Sequence, residues 1–354
     1  MDRAELRRVK QNIMSWGTGN QPPSSWPAEA AATISLADRT HLADVIGTGL
    51  AGDGTIILAT GDHDASRGVV GIDGSLAEPG TELSVDSDFF LQTQDYASSR
   101  FMSILGPTLI RIGDLDDDFE AFLADVDQAV SEGVFPEFAI APAVRIADVP
   151  ALGAASPLDG PGLRLHVDRD GAISTAPGGS ALGHLGTGLA DLVAAWEKAN
   201  AASELPCAVC LGAVLPEAER TARLGERPSV ARYFTALDAL RTLTVNDIAG
   251  LRVSGFGGRI TAGLADDDPA EDVVDPTLPL LMWTADRGYV YEPDRRRVFT
   301  VDHTAAQAVE CLLATGSPEL AARHLPGSTV TQVNEFFTGA GVALTPAQPK
   351  VGAR

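Results

Sequence analysis

Between Leu278 and Leu344 the hydrophobic period of the chain changes from two residues to about 3.6, and no other feature constrains the fold as strongly. Three short segments rich in β-branched and aromatic residues come first. They predict strands at 280–284, 289–291 and 297–301. Polar turns join them, and Pro293 suits the second position of a type I turn. The segment therefore opens as a strand meander.

Helical signals follow the third strand. An apolar stripe at helical spacing marks a first helix, and Ser317-Pro318-Glu319 has the capping residue and early proline that begin a second. A third helix is expected from Thr329 to Gly339. Its inward-facing side chains are expected to be Val330, Val333, Phe336 and Phe337. The order β-β-β-α-α-α is typical of a small winged-helix-like module.

Charge distinguishes two functions that such a module can have. One is DNA reading by the third helix, and the other is capture of an extended peptide as an added strand. From Leu280 to the C-terminus there are seven Lys+Arg against seven Asp+Glu, so the rest of the chain carries the whole net charge of −22. The expected third helix has no Lys or Arg. Because DNA binding depends on cations that neutralise phosphates, the pattern favours peptide capture over a transcription regulator.

The stretch 288–313 resembles the PqqD-like family of recognition elements. It has a tyrosine-containing strand, a polar turn, a strand that ends at Asp302 and an Ala-rich helix, and Gly341-Val342 follows the third helix. This resemblance, over about a fifth of the chain, implies a domain that binds leader peptides of ribosomally made, modified peptides. With its long N-terminal part, the whole chain is similar to stand-alone recognition proteins of daptide-type biosynthetic clusters.

The resemblance implies partners and a binding mode, but no catalytic residue, cofactor or metal. The partners would be a precursor leader peptide and the tailoring enzymes of the same cluster, which in daptide systems are a decarboxylating oxidoreductase, an aminotransferase and a methyltransferase. The leader would add to the third strand, with its apolar side chains in the groove between that strand and the third helix.

The residues expected to bind the peptide lie on the third strand and the third helix. The full set is Arg296, Arg297, Val298, Phe299, Thr300, Val301, Val330, Val333, Asn334 and Phe337. Within it, Val298 and Thr300 are the expected groove residues of the strand, although strand alternation leaves this choice open by one position. Arg295, Arg296 and Arg297 could pair with acidic leader residues, and a solvated turn is an equally good interpretation.

A chain of 354 residues can hold two or three domains, and its composition indicates a folded α+β or α/β multidomain protein. The expected divisions are 1–30 (helix and linker), 31–150 (mixed α/β), 151–275 (a second α/β segment ending in an acidic linker), 276–345 (the module) and 346–354 (tail). No apolar run of about 18 residues and no secretory signal occur, so the sequence predicts a cytoplasmic protein without a membrane span. The negative charge also disfavours nucleic acid and membrane surfaces as partners, and a homodimer is left open.

The region before the module is expected to alternate strands and helices. The strands are predicted at 55–60, 69–72, 89–93, 100–105 and 108–112, a hairpin at 163–175, and helices at 116–132, 189–199 and 230–243.

Several short motifs in this region were candidates for chemistry. The segment 47–52 matches G-x-G-x-x-G, but a strand-like run follows it where a dinucleotide site needs a helix, and the glycine-rich loop 183–188 is interpreted as a helix entry. The lone C-x-x-C at 207–210 lacks further zinc ligands at a suitable spacing, which favours a buried structural pair. The acidic residues at 62–64 and 114–118 are interpreted as a polar turn and a helix start. An enzyme that modifies a peptide or binds a nucleotide, with the module as a tether, is the alternative function.

Overall fold

The computed structural model describes residues 1–346 except 28, 155, 157, 246, 247, 249 and 265–270. The predicted acidic linker falls largely on 265–270 and the predicted tail on 347–354, so both lie outside the described residues. The chain is a mixed α/β protein that forms two compact units. Unit 1 comprises Met1–Phe122 and Ala143–Glu226, and unit 2 comprises Leu123–Pro142 and Arg227–Arg354. These two units are defined by compactness and do not coincide with the divisions expected near residues 150 and 276. Those divisions into domains stay predictions.

The helices and strands are numbered in chain order. The α-helices are α1 Arg3–Thr18, α2 Leu42–Gly47, α3 Tyr96–Ser99, α4 Glu120–Glu132, α5 Glu137–Ile140, α6 Leu189–Ala201, α7 Glu217–Gly225, α8 Val230–Thr244, α9 His303–Thr315, α10 Pro318–Ala321 and α11 Gly327–Gly339. The strands are β1 Thr33–Leu36, β2 Ile56–Thr60, β3 Val69–Ile72, β4 Thr81–Val85, β5 Phe89–Asp95, β6 Thr108–Arg111, β7 Val144–Ile146, β8 Arg164–Val167, β9 Ala172–Ser174, β10 Gly183–His184, β11 Arg252–Val253, β12 Leu280–Trp283, β13 Gly288–Glu292 and β14 Arg297–Val301.

The described residues of unit 1 form two sheets. The first has the order β10-β9-β8-β1-β2-β3, in which β8, β1, β2 and β3 are parallel and β9 and β10 are antiparallel. The second has the order β4-β5-β6-β7, with β4 antiparallel to β5 and the other pairs parallel. Strands such as β1 and β2 are buried along most of their length, as expected for parallel strands covered on both faces.

Helix α1 packs into the core of unit 1. The side chain of Asp2 accepts hydrogen bonds from the first helical N–H groups, and Gly19 ends the helix in a left-handed conformation. Val9, Ile13 and Trp16 follow each other at helical spacing, are almost fully buried, and pack against residues of β2 to β5. The Trp16 indole N–H donates to the carbonyl oxygen of Leu165, which joins α1 to β8.

One predicted strand of unit 1 is wrong. The segment 100–105 is a loop that follows α3, and the side chains of Phe101 and Leu105 are 89% and 86% exposed. The reason is the pairing of its neighbours: β5 and β6 are parallel, so the chain between them must cross over to the other end of the sheet. The strands β2, β3, β5 and β6, the hairpin β8–β9 and helices α6 and α8 match the sequence prediction.

Unit 2 contains one antiparallel sheet with the order β11-β12-β13-β14. The predicted order of three strands and three helices is present as β12 to α11. The short strand β11 was not predicted, and it extends the sheet beyond β12. The helices α9 to α11 form a core with one face of this sheet, with Leu281, Val290, Val309, Leu312 and Phe337 among its buried residues.

A buried carboxylate attaches the segment after β11 to helix α9. Glu310 is fully buried and accepts hydrogen bonds from the Ser254 hydroxyl at 2.6 Å, the Ile260 N–H at 2.9 Å and the Thr261 N–H at 2.6 Å. These donors satisfy a charge that would otherwise be costly to bury. The contact explains why a segment so far from α9 in the sequence belongs to the same unit.

The other face of the unit 2 sheet is covered by α8. Tyr291 of β13 is 1% exposed, and its phenol interacts with Thr242 of α8 and with Arg296. Burial, assisted by the negative charge of Asp238, raises the pKa of Tyr291 to about 12. The sheet of unit 2 thus has α9 to α11 on one face and α8 on the other. Among the described residues, no helix has the length and apolar character required to cross a membrane.

Candidate functional site

Strand β14 is an edge strand of the unit 2 sheet. It pairs with β13 through five residue pairs, from Glu292↔Arg297 to Gly288↔Val301, and it ends the strand order that the described residues form. In an antiparallel pair, alternate residues direct their N–H and C=O groups away from the partner strand. Such an edge offers a row of hydrogen-bonding groups to an additional strand. The edge therefore has the main-chain geometry that strand addition requires.

Beside this edge, apolar side chains of strand β14 and helix α11 pack against one core; we call the surface that they form the β14–α11 groove and define it by Phe299, Val301, Val333 and Phe337. The rings of Phe299 and Phe337 meet edge to face at 5.3 Å between centroids. Phe337 is buried, whereas Phe299, Val301 and Val333 are only partly buried against the core. Partial exposure of three apolar side chains next to an open strand edge is suited to contact with an apolar ligand.

The pairing register decides which side chains of β14 face the helices. Phe299 opposes the core residue Val290, and side chains alternate along a strand, so Phe299 and Val301 lie on the helix face. Val298 opposes Tyr291, so Val298 and Thr300 lie on the face that α8 covers. The structure thus selects the other of the two alternations that the sequence left open. Of the expected helix residues, Val330 is fully buried and Asn334 is half-buried.

Two of the three arginines before and in β14 are paired within the protein. Arg296 forms an ion pair with Asp238 at 3.1 Å, and Arg297 pairs with Glu292 and lies over the Phe299 ring at 5.3 Å. The hydrogen bond that the Arg297 guanidinium donates to the Glu292 carboxylate raises the pKa of Arg297. Arg295 is exposed. Arg296 and Arg297 therefore hold the start of β14 through contacts within the protein. The exposed Arg295 is the arginine best placed to meet an acidic residue of a ligand.

Phe336 was expected to face inward, but its side chain is 58% exposed. Its ring contacts that of Phe337 at 5.2 Å between centroids. Two consecutive aromatic residues on a helix cannot both face the core, because successive side chains are rotated by about 100° around its axis. An exposed aromatic residue beside the β14–α11 groove widens the apolar surface available to a ligand.

The glycine-rich motifs of unit 1 do not resemble nucleotide sites in their local geometry. The segment 47–52 follows α2 and precedes β2, the reverse of the strand-to-helix order that a dinucleotide loop needs. The loop 183–188 does precede α6, but it is closed by Thr187, whose hydroxyl accepts from the His184 N–H at 3.2 Å. Both motifs act as turns in the described structure.

Side chains of the two acidic segments, 62–64 and 114–118, are engaged in hydrogen bonds within the protein. His63 pairs with Asp86 through Nε2 and accepts from the Gly71 N–H through Nδ1, so both ring nitrogens are engaged. Asp114 caps the helix that begins after it, and Asp118 accepts from the N–H groups of Ala97 and Gly113. These contacts agree with the interpretation as a turn and a helix start.

A second cluster of chemical groups lies in unit 1. Cys207 and Cys210 form a disulfide, and the Cys210 sulfur lies 3.1 Å from Asp159 Oδ2 and 3.5 Å from Arg164 Nη2. Asp159 and Arg164 are far from the cysteines in the sequence, and no local pattern marks them. The two sulfurs and the Asp159 carboxylate lie within 4.8 Å of one another, close enough for a metal ion. The disulfide leaves no thiolate for a metal, and the neighbouring guanidinium would repel a cation.

Comparison with known proteins identifies no relative. No protein-family model matches the chain, and neither the curated proteins nor the solved structures include a match. The functional conclusions therefore depend on the geometry of the chain itself.

Proposed function

We propose that unit 2 binds an extended peptide by adding it as a strand to β14, and that the peptide is the leader of a ribosomally made precursor. In this proposal unit 2 contains a winged-helix-like recognition module, as the resemblance to the PqqD-like family implies. The single observation that carries the proposal is the open edge of β14 beside the β14–α11 groove.

Main-chain and side-chain contacts would divide the recognition between them. Hydrogen bonds from the edge of β14 would hold any extended peptide, and alternate apolar side chains of the peptide would enter the β14–α11 groove. Phe299, Val301 and Val333 are partly exposed apolar residues at that position. Arg295 would attract an acidic residue of the leader near the start of β14.

The charge of α11 supports a peptide partner over DNA. Helix α11 has no Lys or Arg and exposes Glu335 and Phe336. A helix of this kind would be repelled by phosphates and could not release counterions from DNA. The large remainder of the chain would then present the bound precursor to tailoring enzymes, which is the role that the resemblance implies.

The first experiment is a titration of the full chain with a fluorescently labelled leader peptide encoded next to this gene. We expect saturable binding that Val333→Asp weakens by tenfold or more, because a charge placed in the groove loses hydration and each 1.4 kcal/mol is about tenfold in affinity. Gln332→Asp is the matched control, because Gln332 is exposed on the same helix. It should bind as the wild type does.

Peptides with methylated backbone nitrogens test strand addition without changing the protein. Only alternate N–H groups of an added strand face β14, so methylation of one alternating set should abolish binding and methylation of the other should not. Equal binding of the two methylated peptides, or no saturable binding of the parent peptide, would refute the proposal. A steeply salt-dependent affinity for DNA would instead support a transcription regulator.

A further inference from the structure

The disulfide Cys207–Cys210 lies in a turn of unit 1 that is fixed from several sides. The Ala208 N–H donates to the Asn200 side chain at 2.8 Å, and the Ser180 N–H donates to the Val209 carbonyl at 2.8 Å. The Arg220 guanidinium donates to the Pro206 carbonyl at 3.1 Å. The two cysteines are therefore held in position by contacts that do not depend on the bond between them.

The Cys210 sulfur is surrounded by groups that can exchange a proton or stabilise a negative charge. Asp159 has one carboxylate oxygen 3.0 Å from Arg164 Nε and the other 3.1 Å from the Cys210 sulfur. The Arg164 Nη2 and the Thr175 hydroxyl each lie 3.5 Å from the same sulfur. The side chains of Asp159 and Arg164 are 2% and 0% exposed, so their interactions with the sulfur are little screened by water.

Burial raises the pKa of Asp159, and the neighbouring Arg164 opposes this shift. A disulfide sulfur carries no proton, so a hydrogen bond at the contact with Cys210 requires a proton on Asp159. Once the disulfide is reduced, the Cys210 thiolate would accept that proton or keep its charge beside Arg164. The other charged group that faces Asp159 is Asp148, which also pairs with Arg164.

We propose that Cys207–Cys210 is a redox-active thiol–disulfide exchange site, in which Asp159 supplies the proton and Arg164 stabilises the leaving thiolate of Cys210. The co-reactant is a dithiol. The sequence predicts a cytoplasmic protein, and disulfides in that reducing compartment are usually transient, catalytic or redox-sensing.

The exchange proceeds in two displacement steps. A thiolate of the dithiol attacks the sulfur of Cys207, because this residue is 3% exposed whereas Cys210 is fully buried. A bond forms between the reductant and Cys207, the Cys207–Cys210 bond breaks, and its electron pair and the Asp159 proton go to Cys210. The second thiol of the reductant loses its proton to water and displaces Cys207, which takes a proton from water. Two electrons pass from the dithiol to the cysteine pair, and the reductant leaves as a disulfide.

The experiment follows reduction of the full chain by dithiothreitol, with rapid alkylation and mass spectrometry to count free thiols. Cys311 reports unfolding of unit 2, because it is buried there and burial raises its pKa to about 11, and circular dichroism of the same samples reports unfolding of either unit. We expect Cys207 and Cys210 to be alkylated while Cys311 stays unmodified. The variants Cys207→Ser and Cys210→Ser then give the pKa of each remaining thiol, which should be lower for Cys210 because of Arg164.

Asp159→Asn tests the proton transfer. Rates are divided by the thiolate fraction of dithiothreitol at each pH, so that only the protein's own titration remains. We expect the corrected wild-type rate to fall as Asp159 loses its proton, and the corrected rate of Asp159→Asn to be about tenfold lower and independent of pH. Thr175→Val is the matched control: it removes another contact of the Cys210 sulfur and should keep the wild-type pH profile.

Three outcomes would overturn the proposal. The first is alkylation of Cys207 and Cys210 only when Cys311 is alkylated or the circular dichroism of the folded chain is lost, because reduction would then require unfolding. The second is a corrected rate that is the same in Asp159→Asn and wild type at every pH. The third is uptake of one Zn²⁺ per reduced chain with protection of both thiols, which would make the cluster a metal site.

Discussion

Asp148 of unit 1 and Asp238 of unit 2 each join two arginines, but in different surroundings. Asp148 pairs with Arg111 and Arg164, and all three side chains are at most 5% exposed. Asp238 pairs with Arg241 and Arg296, and its own side chain is 34% exposed while that of Arg296 is 58% exposed. The same residue types thus form a buried ion cluster in one unit and a partly hydrated one in the other.

We expect burial, and not the number of ion pairs, to decide what such a cluster contributes to stability. Removing one member of a buried cluster leaves an uncompensated charge in a medium of low polarity, whereas water replaces the lost partner of an exposed one. The buried cluster also touches Trp16, whose ring lies 5.7 Å from the Arg111 guanidinium, and through Asp159 it reaches the cysteine pair. The buried cluster therefore contacts the redox site through Asp159, whereas Asp238 contacts the start of β14 through Arg296.

The largest expected effect is that of Asp148→Asn. Asparagine tolerates the left-handed backbone of this position, where φ is 51°, so the change mainly removes charge. We expect a loss of about 3–5 kcal/mol in the free energy of unfolding, because two buried guanidinium groups lose their shared counterion. Urea denaturation at pH 7 measures it.

Asp238→Asn is the matched control for Asp148→Asn, since both substitutions remove a carboxylate between two arginines. Here we expect a loss of at most about 1 kcal/mol, because water screens this pair. Equal losses in the two variants would contradict the conclusion that burial sets the difference.

Acid is expected to lower the stability of unit 1 by less than Asp148→Asn does, through protonation of His166 beside the buried cluster. Burial, together with the positive charge of Arg111, lowers the pKa of His166 to about 4, and Asp168 opposes the shift. The unfolded chain binds this proton near pH 6.5 and the folded protein only near pH 4, so stability is retained above pH 6.5 and is lost as the pH falls toward 4. The gap corresponds to about 3 kcal/mol at about 1.4 kcal/mol per pH unit.

The measurement compares wild type with His166→Gln at several pH values between 7 and 4.5. The variant lacks the imidazole and keeps the other ionisable groups of the wild type, so the difference in unfolding free energy between the two proteins should change with pH in the stated direction. Parallel curves would show that His166 is not responsible for loss of stability in acid.

The smallest effect is expected from Glu78→Gln in unit 1. Glu78 pairs with Arg169 at 3.2 Å, but the two side chains are 59% and 76% exposed. We expect a change of less than about 0.5 kcal/mol in urea denaturation, because exposed ion pairs are weak. A loss as large as that of Asp148→Asn would mean that unit 1 is sensitive to charge removal everywhere, and not only in its buried cluster.

Local patterns in the sequence predicted much of the fold. The order from β12 to α11, the helices α6 and α8 and the hairpin β8–β9 follow from periodicity, capping residues and turns, which act over a few residues. The strand prediction for 100–105 was wrong, because its apolar residues match a strand while the parallel pairing of β5 and β6 requires a crossover. Strand β11 is two residues long and could not be recognised without its partner β12.

For the candidate sites too, local sequence patterns predicted the elements and tertiary contacts decided how their side chains meet. The strand and helix of the β14–α11 groove were expected from the sequence, but the face of β14 that meets α11 depends on its register with β13. Asp159 and Arg164 carry no local signal, because their relation to Cys210 arises only when distant segments pack together.

The sequence by itself determined where the helices and strands of unit 2 lie, and that α11 has no cation for a DNA phosphate, because hydrophobic period, capping and charge are properties of neighbouring residues. Tertiary structure alone decided that β14 is an edge, that Phe299 and not Val298 faces the helices, and that Asp148 lies between two buried arginines. These features depend on contacts between residues far apart in the chain, and burial then sets the strength of each charge.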